Sequence, residues 1–299
     1  METLDALFYE AVLSRMTFDF ISIIDHPFLR PHAQRYLQLR RRLAVTVDPS
    51  GQYFEGCRLN WHVESFIRSD FIRTPMIPAE FQQELLYPGT RVAVVITPGC
   101  PNPGNELDKE QTIPMLGLAP DVHIIQMGSR NTSSSESLFS SLSRSTTVRC
   151  ITTHRSYLDG YVSLYLKACF LKPSLKTIAF FGGCATSNTI TDIEHFLTYG
   201  NWRYACISHL MISRGHFRRI YVVSVDVLYG IISTFFQLSV SHSVLRLPYT
   251  AGQALFANYP PHEISDNACM YLSPDVDDGD TRSVCVVLET ETVMLFFHK

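Results

Sequence analysis

Three side chains that could together perform nucleophilic chemistry follow apolar runs of the sequence: His154, Cys184 and Asp226. A cysteine becomes a nucleophile when an imidazole or a helix N-terminus holds it as the thiolate and a third group orients the imidazole. In open α/β sheets such groups gather at the carboxyl ends of parallel strands. If their strands are parallel neighbours, the sequence predicts Cys184 as nucleophile, His154 as base and Asp226 as the orienting group.

The order of a His-bearing strand, a crossover helix and a Cys-bearing strand resembles that of caspase-like cysteine peptidases. Residues 175–184, which read LKTIAFFGGC, resemble the nucleophile strand of that family. The resemblance implies a cysteine-nucleophile hydrolase or transferase. Arg155 follows His154, where those peptidases carry a glycine directly after the catalytic histidine.

The same segment predicts an anion site as an alternative. Gly182 and Gly183 let the backbone approach a ligand closely, and Thr186 and Ser187 precede a predicted helix whose N-terminal amides favour negative charge. The sequence has neither GxGxxG nor GxxxxGK[ST], so it predicts no standard dinucleotide or P-loop site. The structural alternatives are a buried Cys184 thiol at a tight turn and Asp226 as a helix cap.

The predicted helices and strands that would position these residues follow one pattern before residue 90 and another after it. Residues 1–89 predict an α+β extension, with helices at residues 4–15, 32–42 and 79–86 and a hairpin formed by residues 43–47 and 52–59. From residue 90, apolar runs alternate with helical stretches, which predicts an α/β core domain on a mostly parallel or mixed sheet. We expect its strands at residues 91–97, 122–126, 147–152, 177–181 and 219–225.

Helices are expected between these strands, and the chain is expected to end in antiparallel structure. The predicted helices are residues 157–171, 193–199, 202–213 and 228–238. Residues 283–288 and 292–297 predict a terminal β-hairpin. The serine-rich residues 131–147 predict a surface loop, and no internal repeat is apparent.

The charge, cysteine and histidine content of the sequence limit the classes of function that it predicts. The 299 residues carry a net charge of -3, so nucleic acid is an unlikely partner. Eight scattered cysteines without a CxxC pair and an acidic N-terminus without a leader pattern predict a reducing, intracellular and most simply cytoplasmic protein. The histidine spacings show no metal motif. We therefore expect no metal, no cofactor and no membrane span.

Two hypotheses of different classes follow. The first is a non-catalytic structural or interaction protein, an α/β scaffold and possible pseudoenzyme that joins a larger complex or a homo-oligomer. It is favoured because only 18% of residues are charged while Phe and Tyr are plentiful, which suits a buried protein interface. The second is the cysteine-nucleophile enzyme that uses Cys184 and His154.

Overall fold

The fold is seen in a computed structural model that describes seventeen strands and five helices. The described residues are 30–31, 41–47, 59–65, 72–75, 91–97, 121–128, 133–145, 148–214, 217–238, 242–265, 268–272 and 282–298. The predicted helices at residues 4–15 and 79–86 lie outside these ranges. So does most of the predicted helix at residues 32–42, although its last two residues belong to a strand.

Thirteen of the strands form one sheet and the other four form a smaller one. The strands of the large sheet are β1 (Arg41–Val47), β2 (Leu59–Ser65), β3 (Ile72–Pro75), β4 (Arg91–Ile96), β5 (Asp121–Ile125), β6 (Cys150–His154), β8 (Thr177–Phe181), β10 (Tyr204–Ser208), β13 (Val244–Pro248), β14 (Glu263–Ser265), β15 (Ala268–Leu272), β16 (Ser283–Leu288) and β17 (Thr292–His298). Those of the small sheet are β7 (Tyr157–Leu158), β9 (Cys184–Thr186), β11 (Met211–Arg214) and β12 (Phe217–Ile220).

The centre of the large sheet is parallel and its two ends are antiparallel. Its order is β14-β15-β16-β17-β13-β10-β8-β6-β5-β4-β1-β2-β3, and the seven strands from β13 to β1 run parallel. The hairpin β1–β2 extends one end, and β16–β17 belongs to the antiparallel group at the other. The predicted α/β class with a mostly parallel, mixed sheet is confirmed.

Five helices connect the strands: α1 (Ser133–Ser143), α2 (Gly160–Phe170), α3 (Ser187–Tyr199), α4 (Val225–Gln237) and α5 (Tyr249–Asn258). Neighbouring parallel strands follow one another in chain order, and right-handed crossovers therefore place the connecting helices on the same side of the sheet. Consecutive helices accordingly contact one another. The hydrophobic core fills the space between this helix layer and the inner face of the sheet.

An internal repeat of 27 residues underlies this arrangement. Cys150, Thr177 and Tyr204 are register partners in the large sheet. Tyr157, Cys184 and Met211 are partners in the same way in the small sheet. Each unit is therefore a strand, a bend, a short second strand and a helix, and the sequence analysis did not detect this repeat.

The repeat preserves positions rather than residue types. Buried side chains recur at matching places in three successive units, namely Val148, Leu175 and Trp202; Ile151, Ile178 and Ala205; and Thr153, Phe180 and Ile207. The helices follow the same spacing, with Phe139, Leu166 and Ile193 all buried. Stacking of such units buries a continuous core, because each unit covers the apolar edge of its neighbour.

Three predictions were wrong, and all three errors fall in or near the repeats. Residues 202–213, predicted as a helix, form β10 and β11, while most of the strand predicted at residues 219–225 is irregular chain that leads into α4. The serine-rich residues predicted as a loop contain α1, because Leu138, Phe139 and Leu142 bury one side of that helix against the core.

The division at residue 89 stays a prediction, although the structure adds one relevant contact. Strand β1 from the first segment pairs in parallel with β4 from the second, so both segments contribute to the same sheet. The predicted second strand of the hairpin, residues 52–59, lies outside the described ranges except for its last residue, and β1 pairs with β2, Leu59–Ser65.

Candidate functional site

The outer face of the parallel sheet carries half-buried and exposed side chains on several strands, although Ala179 of β8 and Cys206 of β10 are buried there. In β6, Ile151 and Thr153 point into the core, while Cys150 and Thr152 are half-buried on the other face and His154 is exposed. Strand β13 repeats this alternation, with Leu245 and Leu247 inward and Arg246 exposed. We define this surface, opposite the helix layer, as the outer sheet face.

A groove lies at one edge of the outer sheet face, where β5, β6, β8 and β10 end. Its volume is about 730 Å³. Each of these strands contributes its last residue and the next one, so the lining repeats with the units. The lining residues are Ile125, Gln126, His154, Arg155, Phe181, Gly182, Ser208 and His209.

The second residue of each lining pair has a left-handed backbone. The φ angles are 51° at Gln126, 48° at Arg155, 70° at Gly182 and 55° at His209. A left-handed conformation costs a residue other than glycine roughly 1–2 kcal/mol. Three of the four strand ends therefore keep a long or aromatic polar side chain at a position where glycine would cost less, which is a pattern found at functional sites.

Two backbone ladders enforce this bend. The first ladder ends at the bend residues. The amide of Gln126 donates to the carbonyl of His154 at 2.7 Å, and the amide of Arg155 donates to the carbonyl of Phe181 at 2.9 Å. After the bend, the amide of Cys184 donates to the carbonyl of Ser156 at 3.0 Å. The chain turns between two sets of parallel pairings. The lining pairs of neighbouring strands therefore lie side by side at the same edge of the sheet.

His154 combines an exposed ring with an aromatic neighbour. Its ring stacks on that of Phe181, with centroids 4.8 Å apart and planes 22° from parallel. Partial burial lowers the pKa of His154 below the usual value for histidine, because removal from water disfavours the imidazolium. A larger fraction of this imidazole is therefore neutral near pH 7, when it can both donate and accept a hydrogen bond.

The three residues of the predicted catalytic set lie in different environments. Cys184 belongs to the small sheet and its side chain is 3% exposed, whereas His154 ends a strand of the large sheet. Asp226 is exposed in the first turn of α4. Among the described residues, no hydrogen bond or ion pair joins any two of these side chains, and their catalytic roles stay a prediction.

The residues of the predicted anion site are engaged in the fold. The amide of Gly182 donates to the carbonyl of Ser208 at 2.6 Å. The hydroxyl of Thr186 caps α3 by accepting from the amide of Thr189 at 3.3 Å, and Ser187 is exposed in the first turn. A Cβ on Gly183 would lie 2.2 Å from the carbonyl oxygen of Ser156, so close backbone packing accounts for this glycine.

Sequence reasoning identified His154 and Gly182 as strand-end residues but missed Phe181, Ser208 and His209 as members of one site. Ser208 and His209 were hidden because their strand was predicted to be a helix. The 27-residue spacing of Arg155, Gly182 and His209 is the signal that could have found the groove.

Comparison with known proteins adds no assignment. No protein-family model matches the chain, and no curated protein matches it either. Within the described ranges, no group of three or more His, Cys, Asp or Glu side chains is arranged to hold a metal ion. The helices among those residues are all too short or too polar to cross a membrane.

Proposed function

We propose that this protein is a non-catalytic interaction scaffold that binds a partner protein on the outer sheet face, with the groove as the centre of the contact. The observation that carries the proposal is the one-sided layering of the repeats. All the connecting helices among the described residues pack on one face of the parallel sheet, and the strand ends of four neighbouring strands form a groove on the other side.

The architecture supports this use on physical grounds. Units that contain one strand and one helix in 20–29 residues build solenoids such as those of leucine-rich-repeat proteins, and such solenoids bind partners on an extended inner surface. This likeness concerns the architecture alone, and architecture does not fix function. What favours binding here is the groove, because it combines an aromatic floor with polar side chains that lie at a strained backbone position.

The surface chemistry of the groove also suits a protein partner. Phe181 and Ile125 are apolar and half-buried, and Arg155 and His209 are exposed beside them. Interfaces are enriched in aromatic residues and arginine at their centres, where apolar area and directional hydrogen bonds are combined. Burial of the Cys184 side chain favours the scaffold over the cysteine-nucleophile alternative, since a nucleophile must be reached by its substrate.

Site-specific photocrosslinking tests the proposal. The photoreactive p-benzoylphenylalanine would replace Phe181 in the groove and, as a matched control, the exposed aromatic Tyr199 on α3, in cells that naturally make the protein. We expect a discrete protein adduct from position 181 and none of the same mass from position 199. Adducts from position 199 alone would contradict the proposal.

A binding measurement must then connect the adduct to the groove. The crosslinked protein would be identified by mass spectrometry, purified and titrated against the wild-type chain. Ser208→Tyr, which fills the groove, is expected to weaken binding at least tenfold. Ser140→Tyr, at an exposed serine of α1, provides the control and is expected to leave the affinity unchanged. Equal effects of the two substitutions would reject the groove as the contact.

A further inference from the structure

The groove and the strands around it carry few negative charges. None of its eight lining residues is acidic, while Arg155, His154 and His209 can donate hydrogen bonds or carry positive charge. Strands β5, β6, β8, β10 and β13 together contain a single acid, Asp121, and that side chain is 6% exposed. An incoming negative group therefore meets no exposed carboxylate on these strands.

Exposed positive charge also extends beyond the groove. Arg246 is exposed on the outer sheet face of β13, the strand beside β10. Its positive charge acts on the Tyr204 phenol of β10, where it opposes the rise in pKa that burial causes. The positive potential of the groove and that of Arg246 consequently add on one side of the sheet.

The floor of the groove requires an apolar contact as well. Phe181 is half-buried and stacked on His154, and Ile125 is half-buried two strands away. A fully hydrated ligand would leave both side chains in water. An occupant with one apolar side chain between negative groups would cover Phe181 and Ile125 and would also bring its negative groups to Arg155, His154 and His209.

The spacing of the strands sets the length of the occupant. Four adjacent strands at about 4.8 Å separation span about 14 Å from β5 to β10. An extended chain rises about 3.3 Å per residue, so about five residues cross the groove. A peptide segment has this form, whereas a lining with one arginine offers too few permanent positive charges to neutralise a run of phosphates.

We propose that the groove binds an extended acidic segment of a partner protein, with carboxylates held by Arg155, His154 and His209 and one apolar side chain resting on Phe181 and Ile125. The proposal rests on the proposed function and adds the chemistry of the partner. A guanidinium binds a carboxylate through two parallel hydrogen bonds. The imidazoles of His154, which directly precedes Arg155, and of His209, two strands away, supply further donors. The left-handed backbone is shared by Arg155 and His209, which lie two strands apart at the same edge of the sheet.

Fluorescence anisotropy with defined peptides tests this chemistry. The probe is a fluorescein-labelled octapeptide with Phe flanked by Asp and Glu, and its comparison peptide has the same sequence with Asn and Gln. We expect saturable binding of the acidic peptide to the full chain and at least tenfold weaker binding of the amide peptide. Equal binding of the two peptides would overturn the proposal.

Substitutions at Arg155 locate the site without loss of the fold. Asn and Asp tolerate the left-handed backbone, so Arg155→Asn and Arg155→Asp change the charge with little added strain. We expect at least tenfold weaker binding for the first and no detectable binding for the second. Arg144→Asp, at an exposed arginine after α1, is the control and is expected to bind like the wild type. Unchanged binding by Arg155→Asp would reject the site.

Two further probes separate the acidic segment from other anions. A phosphoserine peptide that binds while the carboxylate peptide does not, or a uridine oligonucleotide that binds more tightly than the acidic peptide, would overturn the assignment. Photocrosslinks from position 181 combined with failure of the acidic peptide would reject the partner chemistry and leave the interaction scaffold standing. Binding of the acidic peptide without crosslinks from position 181 would support the acidic preference of the groove and would reject the groove as the contact with a partner protein in the cell.

Discussion

At the scale of single residues, the bend after β8 places different demands on two neighbouring glycines. Gly183→Ala would bring a Cβ within 2.2 Å of the carbonyl oxygen of Ser156 and 2.8 Å of its amide nitrogen. Both are backbone atoms that cannot move without breaking the ladder between units. We expect this substitution to lower the free energy of unfolding by more than about 3 kcal/mol, measured by urea denaturation.

Gly182→Ala is the matched control for that experiment. A Cβ there would meet nothing closer than 3.7 Å, so the added cost is that of the left-handed backbone, about 1–2 kcal/mol. Arg155 and His209 already adopt this conformation at equivalent positions. Similar losses in the two variants would show that the close approach of the units at Gly183 is not what fixes the bend.

The Cys184 thiol provides a second residue-scale prediction. Its side chain is 3% exposed, whereas those of Cys150 and Cys285 are half-buried. Because iodoacetamide must reach the thiolate, we expect Cys184 to be labelled more slowly than Cys150 and Cys285 in the native protein at pH 7. Labelling at each cysteine is measured by mass spectrometry. Fast labelling of Cys184 below pH 7 that His154→Ala abolishes would instead show an activated nucleophile and favour the cysteine-nucleophile enzyme.

At the scale of elements, helix α1 depends on a side chain from the next unit. Its last turn has no basic residue of its own, and the ammonium of Lys172 donates to the carbonyls of Ser143 at 2.7 Å and Ser145 at 2.5 Å. A cation at this end satisfies unpaired carbonyls and complements the helix dipole. The serine-rich segment is therefore helical because its neighbours complete it.

Lys172→Met tests that dependence, since it keeps the length of the side chain and removes the charge. We expect faster amide hydrogen exchange in α1 and a loss of about 1–2 kcal/mol in the free energy of unfolding. Lys167→Met on α2, whose ammonium is exposed, is the control and should change neither quantity appreciably. Unchanged exchange in α1 for Lys172→Met would contradict the capping role.

The elements that sequence analysis missed share a physical cause. Residues 204–208 are mostly buried, with Ala205, Cys206 and Ile207 all nearly inaccessible, so their pattern is a continuous apolar run rather than an alternation. Such a run does not distinguish a parallel strand from a buried helix. By contrast, residues 177–181 and the hairpin β16–β17 have β-branched and aromatic residues between clear turns, and both were predicted correctly.

The candidate site was predictable only in part for a related reason. The rule that ligands gather at strand ends found His154 and Gly182 without knowledge of the sheet. It could not join them to Phe181 and His209, because that step requires the strand order and the register. The repeat itself was hidden because Thr153, Phe180 and Ile207 occupy one position, as do Ser156, Gly183 and Leu210, and only packing shows their equivalence.

At the scale of the whole molecule, an aromatic cluster connects the repeats to the antiparallel end of the sheet. Trp202 of the third unit is fully buried, and its indole nitrogen donates to the carbonyl of Leu197 at 2.9 Å. Its ring stacks on His242, with centroids 4.0 Å apart, and meets the edge of Phe297 at 5.6 Å. In a chain of stacked units, cooperativity depends on such contacts between neighbours.

Trp202→Ala is therefore expected to separate the unfolding of the repeats from that of the C-terminal strands. The truncation costs about 3–5 kcal/mol through the cavity that it leaves. Beyond that loss, we expect the urea transition to broaden or divide into two, followed in parallel by far-ultraviolet circular dichroism and by hydrogen exchange of β16 and β17. Trp202→Phe keeps an aromatic ring beside His242 and should retain one transition. A single sharp transition for Trp202→Ala, displaced to lower urea, would mean that the backbone ladder between β13 and β17 alone makes the two parts cooperative.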